Sequence, residues 1–208
     1  MKFDGFTLVS DIDGTLVDRD WNVTPQNIEA IRYFQKEGGK FTLATGRIPW
    51  RVKQLQQNIR IDLPIICYNG ACIYDLNNGQ TWWQHMLEGD VTNIVDDVLD
   101  NVPGVGIQIY SNHRIYTYGR NPEIAHVTFL EDGINVLELK DYRDAPQPWA
   151  KLVFIVRADR LQELRKKVQR HPDCLNYAFM QSSPEYYEML HQLANKGNAM
   201  ETLMQLNH

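Results

Sequence analysis

The sequence predicts an α/β protein: a parallel sheet flanked by helices, split in sequence by an inserted α+β domain. Three observations carry this expectation. Short apolar runs alternate with amphipathic helical stretches as far as Gly70, the order that builds a parallel sheet with right-handed crossovers. The pattern then changes to short runs paired around turn signals. A last helical stretch, Asn198 to Gln205, follows Ala194-Asn195-Lys196-Gly197 and returns the chain to the first domain. The expected boundaries are 1–86 and 189–208 for the discontinuous core, and 87–188 for the insertion.

Each element has its own signal. Phe6 to Val9 is a compact apolar run ending at Ser10-Asp11 and reads as a buried strand. Thr24-Pro25 reads as an N-cap with proline at the first helical position. Ile28, Ile31 and Phe34 give the helix an apolar face, and Gly38-Gly39 ends it. Phe41 to Ala44 is a second strand, ending at Thr45-Gly46. Arg51 to Ile59 is expected to be helical, with Val52, Leu55 and Ile59 on one side. Pro64 to Cys67 starts a third strand that ends at Tyr68-Asn69-Gly70. Beyond it, Cys72 to Asp75 and Thr81 to Gln84 bracket Asn77-Asn78-Gly79, a hairpin signal. Asp90 to Asn101 reads as a helix, and Gly106 to Tyr110 with Arg114 to Tyr118 as a hairpin. Leu152 to Val156 reads as a strand, Arg160 to Arg170 as a helix and Leu175 to Gln181 as a strand.

Composition narrows the function classes. Of 208 residues, 43% are apolar and 23% charged, ordinary values for a globular chain with a real core. The formal charge is −5 with no basic block, which argues against gripping nucleic acid or an anionic membrane. Apolar stretches such as Leu152 to Val156 are strand-sized, too short to span a bilayer. The first residues lack a secretory apolar region. Cys67, Cys72 and Cys174 have neither zinc nor redox-motif spacing, and an odd count points to reduced thiols and a cytoplasmic setting.

In an open parallel sheet, ligands bind beyond the carboxyl ends of the strands. Asp11, Thr45 and Asn69 each stand just past such an end, so groups distant in sequence are expected on one crest. Asp11-Ile12-Asp13-Gly14 can aim two carboxylates at one site, with Gly14 allowing a sharp turn. A carboxylate can attack phosphorus, and a second carboxyl can protonate the leaving oxygen and then activate water. Magnesium suits such a pair. A lone Asp-x-Asp-Gly is usually only an acidic surface turn. Asp18-x-Asp20-x-Asn22 with Glu29 resembles a calcium loop, but Val23 replaces the turn glycine and Pro25 starts a helix.

The motifs together are more specific. Leu8 to Leu16, containing Asp11-Ile12-Asp13-Gly14-Thr15, resembles the first signature of the haloacid dehalogenase superfamily of phosphohydrolases. Leu43-Ala44-Thr45-Gly46-Arg47 resembles the second, and Asn195-Lys196-Gly197-Asn198-Ala199 the third. The Tyr68-Asn69-Gly70-Ala71 turn and the long insertion resemble the Cof-type branch with a large α/β cap. The resemblance spans essentially the whole chain in the right order. It implies a Rossmann-like parallel-sheet core, C-terminally incomplete, with an inserted α+β cap. It also implies Asp11 as nucleophile and Mg2+ ligand, and Asp13 as general acid/base ligating metal through its backbone carbonyl. Thr45 would hydrogen-bond the phosphoryl group and Lys196 would neutralise its charge. Gly46, Arg47 and Asn69 would line the substrate side. Blander roles stand beside these: Thr45 as a helix cap, Lys196 as a solvated lysine, Asn69 as a turn former. Tyr110, Tyr116 and Tyr118 read as sheet surface and core rather than stacking platforms.

The resemblance breaks at one place. The family carries a further Gly-Asp motif after the lysine, whose aspartate adds to the metal shell. This sequence reaches Leu206-Asn207-His208 without it, and Gly89-Asp90 precedes Lys196. The family's missing strand would lie beside the first, so the Asp11 strand is expected to be an edge, prone to self-association or to lower stability. The implied function is a magnesium-dependent phosphohydrolase of small phosphorylated metabolites, sugar phosphates among them. The alternatives are a catalytically impaired phosphate-binding or interaction protein, and a phosphomutase with the same core.

Overall fold

The computed structural model describes residues 1–119 and 136–207. The chain divides into two compact units, Met1–Gln84 with Ala194–His208, and His85–Leu193. Residues 120–135, inside the stretch expected as the insertion, lie outside the described residues.

In the first unit, β1 (Thr7–Ser10) runs parallel to β2 (Lys40–Leu43), with Ser10 opposite Leu43. A parallel bridge between Ala44 and Ile66 joins β2 to β3 (Ile65–Cys67). β3 then pairs antiparallel with β4 (Cys72–Asp75), and β4 with β5 (Gln80–Gln84). The apolar runs thus form the expected parallel ladder, continued by a hairpin into a mixed sheet. α1 (Pro25–Lys36) starts where the cap signal puts it: the Thr24 hydroxyl oxygen accepts from Asn27 N–H at 3.3 Å, and Pro25 occupies the first turn. α5 (Lys196–Leu206) packs Ala199 and Leu203 against Ala44, Ile66 and Ile73.

Two expectations need correction here. The stretch from Arg51 to Ile59 is not one helix. α2 (Pro49–Lys53) begins earlier, with proline in its first turn, and tightens into a 3-10 turn at Gln54–Gln57. The apolar face survives, because Val52, Leu55 and Ile59 are all buried. The strand from Phe6 to Val9 is not a buried strand. Among the described residues β1 pairs only with β2, leaving Phe6 63% and Leu8 43% exposed. A run of apolar residues reports a wish for burial, not a partner to supply it. α5 covers the face of β3 and β4 and Ala44 beyond β2, and among the described residues it does not pair with the open side of β1.

Among the described residues, the second unit carries a six-stranded sheet of order β10-β11-β9-β6-β7-β8. Its strands are β6 (Gly106–Ser111), β7 (Arg114–Tyr118), β8 (Leu137–Glu138), β9 (Trp149–Ile155), β10 (Tyr177–Gln181) and β11 (Tyr186–His191). The β6–β7 turn uses Asn112 and His113 at positive φ, as a tight hairpin requires. Helices α3 (Thr92–Asn101) and α4 (Leu161–Arg170) bury Ile94, Val95, Val98, Leu161, Leu164 and Val168 in this unit's core. Tyr116 belongs to that core and Tyr118 packs against it. Lys151 and Glu188, on neighbouring central strands, form a buried ion pair at 2.7 Å.

Candidate active site

The parallel ladder brings three strand ends together. β1 delivers Asp11 directly after Ser10, and Ala44 N–H donates to the Ser10 carbonyl at 2.8 Å. Thr45 N–H donates to the Ile66 carbonyl, and Asn69 N–H donates back to the Thr45 carbonyl, both at 2.9 Å. Asp11, Thr45 and Asn69 therefore share one crest. After Asp11 the chain turns through Gly14 at φ +70, where an added Cβ would meet nothing within 4 Å. Leu16 N–H returns to the Ile12 carbonyl at 2.9 Å, which closes the turn and leaves Asp11 and Asp13 exposed beside each other.

Lys196 reaches this crest from the far end of the sequence. Asn195 caps α5, its side-chain oxygen accepting from Asn198 N–H at 2.8 Å, and places Lys196 in the first helical position. The Lys196 Nζ stands 2.8 Å from Asp11 Oδ2. The other oxygen, Oδ1, accepts from Ile12 N–H at 2.8 Å. The positive end of α5 reinforces the lysine's attraction for an anion.

Gly70 sets this approach. Tyr68, Asn69 and Gly70 follow one another at φ 51, 58 and 101, a left-handed run that is costly for the first two. A Cβ on Gly70 would lie 2.2 Å from both the carbonyl carbon and oxygen of Asn195 and 2.7 Å from Lys196 N. Only a residue without a side chain lets the two backbones pass so closely. The Asn69 side chain packs in the same manner over Gly46, where a Cβ would meet its Oδ1 at 2.7 Å.

Asp13 is held by Arg47, which donates through Nε to Oδ2 at 3.1 Å and through Nη2 to Oδ1 at 3.0 Å. Burial opposes ionisation of Asp13. The Arg47 hydrogen bonds and charge, with the Trp21 indole N–H and Lys196, outweigh it and hold the carboxyl below its usual range. Trp21 escaped the sequence reading. It sits on a small hairpin closed by the Val17–Val23 bridge, where Asp18 Oδ1 accepts from Asp20 and Asn22 N–H, each at 2.9 Å. Its indole N–H lies 3.4 Å from Asp13 Oδ1, and the Arg51 guanidinium stacks on its ring at 3.9 Å. No local pattern marks a tryptophan as a neighbour of a carboxylate eight positions away.

Thr45 is fully buried, and its hydroxyl oxygen accepts from Arg47 N–H at 3.1 Å, closing the turn that aims Arg47 at Asp13. The structure thus brings Asp11, Asp13, Arg47 and Lys196 into direct ion-pair contact, with Thr45, Gly46 and Asn69 packed directly behind. Among the described residues, no group of three or more histidine, cysteine, aspartate or glutamate side chains could hold a metal. The two exposed carboxylates offer hard oxygen donors, a set that magnesium accepts when water and phosphate oxygens complete its shell.

A family description, haloacid dehalogenase-like hydrolase, matches residues 8–208, and the chain belongs to that family. Among its relatives is the Bacillus subtilis protein named "Putative phosphatase YxeH". That protein is 27% identical over 207 residues, 94% of this chain and 74% of the relative. A Mycoplasma pneumoniae relative, also named a phosphatase of that standing, is 43% identical over 68 residues, 33% of this chain and 24% of its own. The fold matches a haloacid dehalogenase-like hydrolase from Bacteroides thetaiotaomicron with a TM-score of 0.83 at 21% identity, over 99% of this chain and 77% of that one. It also matches a structure described as a subclass IIB sugar phosphatase, TM-score 0.78 at 17% identity, over 97% of this chain and 76% of that one. These likenesses agree with the expected α/β core with an inserted α+β domain. No helix among the described residues is long and apolar enough to cross a membrane.

Proposed function

We propose that the chain hydrolyses phosphate monoesters of small metabolites, sugar phosphates among them, through an aspartyl-phosphate intermediate on Asp11. The observation that carries this reading is Lys196 at 2.8 Å from Asp11 beside the bidentate Asp13–Arg47 pair. A nucleophilic carboxylate, a second carboxyl and two cations for phosphate oxygens stand together on a solvent-exposed crest. Family membership and relatives bearing phosphatase names support the same class. The inserted domain, 87–188, is proposed as the cap that selects the leaving group.

In this scheme an Asp11 oxygen attacks phosphorus, and the ester oxygen leaves with a proton from Asp13. Asp13 then takes a proton from water, which attacks the phosphoryl group and frees Asp11. Arg47 creates a condition on the first step, because its hydrogen bonds and charge favour the ionised Asp13 carboxyl and hold it below its usual range. A phosphate dianion competes for the guanidinium, and release of Arg47 removes the interactions that oppose the protonated Asp13 the step requires. Lys196 offsets the charge of the transferring group. Buried Thr45 positions Arg47 by accepting its backbone N–H. Mg2+ held by Asp11 and by Asp13 would neutralise and orient the phosphoryl oxygens. A screen of phosphate monoesters with and without magnesium tests the reading, and absence of magnesium-stimulated phosphate release from every ester would reject it.

Magnesium binding to this chain is expected to be weak. The Asp11 carboxylate already has Lys196 in contact, so the ion must compete with that cation for its side-chain ligand. Calorimetry is expected to give no tight saturable isotherm without phosphate, and tight binding would contradict the competition. The same neutralised pair favours the second reading, a phosphate-binding protein of low turnover. Inorganic phosphate binding with no hydrolysis would select it.

The open side of β1 leads to a further expected outcome. Strand groups of β1 without a strand partner among the described residues, beside exposed Phe6 and Leu8, make an edge that can pair with a second copy, since an antiparallel strand pair is self-complementary. Sedimentation over a concentration series is expected to show association, accompanied by slowed amide exchange from Thr7 to Ser10. A monomer at every concentration would oppose it.

A further inference from the structure

Two of the three cysteines lie opposite each other where the strand pair leaves for the crest. Cys67 ends β3 and Cys72 begins β4, and the antiparallel register pairs them directly. Residues so paired point to the same face, with Cβ atoms about 4.5–5.5 Å apart. Both are fully buried and both are free thiols. The Cys67 thiol donates to the Cys72 carbonyl at 3.4 Å. Between them runs only the left-handed turn that holds Asn69 on Gly46 and Gly70 on the Asn195–Lys196 backbone.

We propose that Cys67 and Cys72 form a reversible oxidation site, in which a disulfide across the β3–β4 pair re-sets the Tyr68–Ala71 turn and thereby the position of Lys196. A disulfide needs Cβ atoms about 3.8 Å apart, so closing it draws the two strand ends together by about 1 Å. The turn has no slack to absorb this, because Gly70 already passes the Asn195 carbonyl at a distance no Cβ could tolerate. The two thiols are also unequal. The Cys67 thiol's hydrogen bond, helped by the Thr81 hydroxyl, holds Cys72 below the usual thiol range against the effect of burial. Burial first, then Cys72, pushes Cys67 up. With the Cys67 proton engaged on the Cys72 carbonyl, Cys72 is assigned as the attacking sulfur.

With hydrogen peroxide as oxidant the step balances. The Cys72 sulfur attacks one peroxide oxygen, the O–O bond breaks, and the departing hydroxide leaves as water with the Cys72 proton. Cys67 sulfur then attacks the resulting sulfenic acid, the S–O bond breaks, and a second water leaves with the Cys67 proton. Two thiols lose two electrons in total, and one peroxide becomes two waters. A thiol reductant reverses the change. Burial makes the reaction dependent on local opening of the β4–β5 hairpin.

The lock rests on the proposed role of Lys196, whereas the oxidation site does not. The test treats Cys174→Ser protein with hydrogen peroxide and maps thiols by mass spectrometry without reduction. The expected product is an intramolecular Cys67–Cys72 disulfide, removed by dithiothreitol and absent from a Cys72→Ser, Cys174→Ser protein. Amide exchange at Asn69, Gly70 and Lys196 is expected to differ between oxidised and reduced forms, and phosphatase turnover to fall at least tenfold on oxidation. Two thiols that stay alkylatable after unfolding, or that over-oxidise without linking, would overturn the site. A mapped disulfide with unchanged exchange and turnover would overturn the lock. A mapped disulfide with altered exchange, in a protein that hydrolyses no ester, would uphold the inference and reject the phosphatase reading.

Discussion

Asp11→Asn is expected to abolish phosphate release while leaving the fold intact. The side chain is 45% exposed and packs in no core, so little burial is at stake. An amide keeps the shape but is a poor nucleophile and attracts Lys196 less. Asp13→Asn is expected to be severe by a different route. General acid–base catalysis contributes about 10²–10⁴-fold, and the variant also loses the charge-assisted Arg47 fork. Turnover of purified, folded variants is the measurement, with circular dichroism confirming the fold. Unchanged turnover in Asp11→Asn would rule out an aspartyl phosphate, whatever the fate of Asp13→Asn.

Gly70→Ala is expected to be the most damaging single-methyl change in the core unit. Its φ of +101 alone disfavours alanine, and the new Cβ would lie 2.2 Å from the Asn195 carbonyl. That neighbour is backbone at the start of α5, so no side-chain rotation relieves the contact. The helix start must move, parting Lys196 from Asp11, with a loss of stability exceeding about 1 kcal/mol. Gly14→Ala is the control. It shares the left-handed backbone, at φ +70, but has open space around the added atom. Thermal unfolding should separate the two variants clearly, with turnover lost more completely in Gly70→Ala. Equal shifts in both would show that backbone strain alone, not close approach, accounts for Gly70.

The single sequence was informative where local physics decides. Thr24-Pro25 marks a helix start because cap and proline act within one turn, and Thr24 does accept from Asn27 N–H. Asn77-Asn78-Gly79 marks a hairpin because Gly79 supplies positive φ, as it does at +72. The carboxyl ends of the apolar runs located Asp11, Thr45 and Asn69 on one crest because a parallel sheet leaves no other place for them. β11 (Tyr186–His191) gave no such signal. It lies between β9 and β10, and with Tyr186 to Leu190 all buried it has no alternation to read. The extent of α2 was also hidden, since its apolar spacing continues through a 3-10 turn that tightens the backbone without breaking the face.

The ion pairs of the site belong to the tertiary structure. Residue types and strand ends marked Asp11, Asp13 and Thr45 as candidates, and the resemblance of Asn195-Lys196-Gly197 to the family's third signature added Lys196. They did not determine that Lys196 would rest on Asp11, that Arg47 would clamp Asp13, or that Trp21 would complete the clamp. Those contacts depend on where α5 meets the sheet, and that meeting depends on Gly70 passing Asn195 at backbone distance. Likewise, two cysteines five positions apart around a turn became a facing pair only through the β3–β4 register. Local rules act over one turn of helix or one pair of strands, whereas these distances are fixed by packing between elements far apart in the chain.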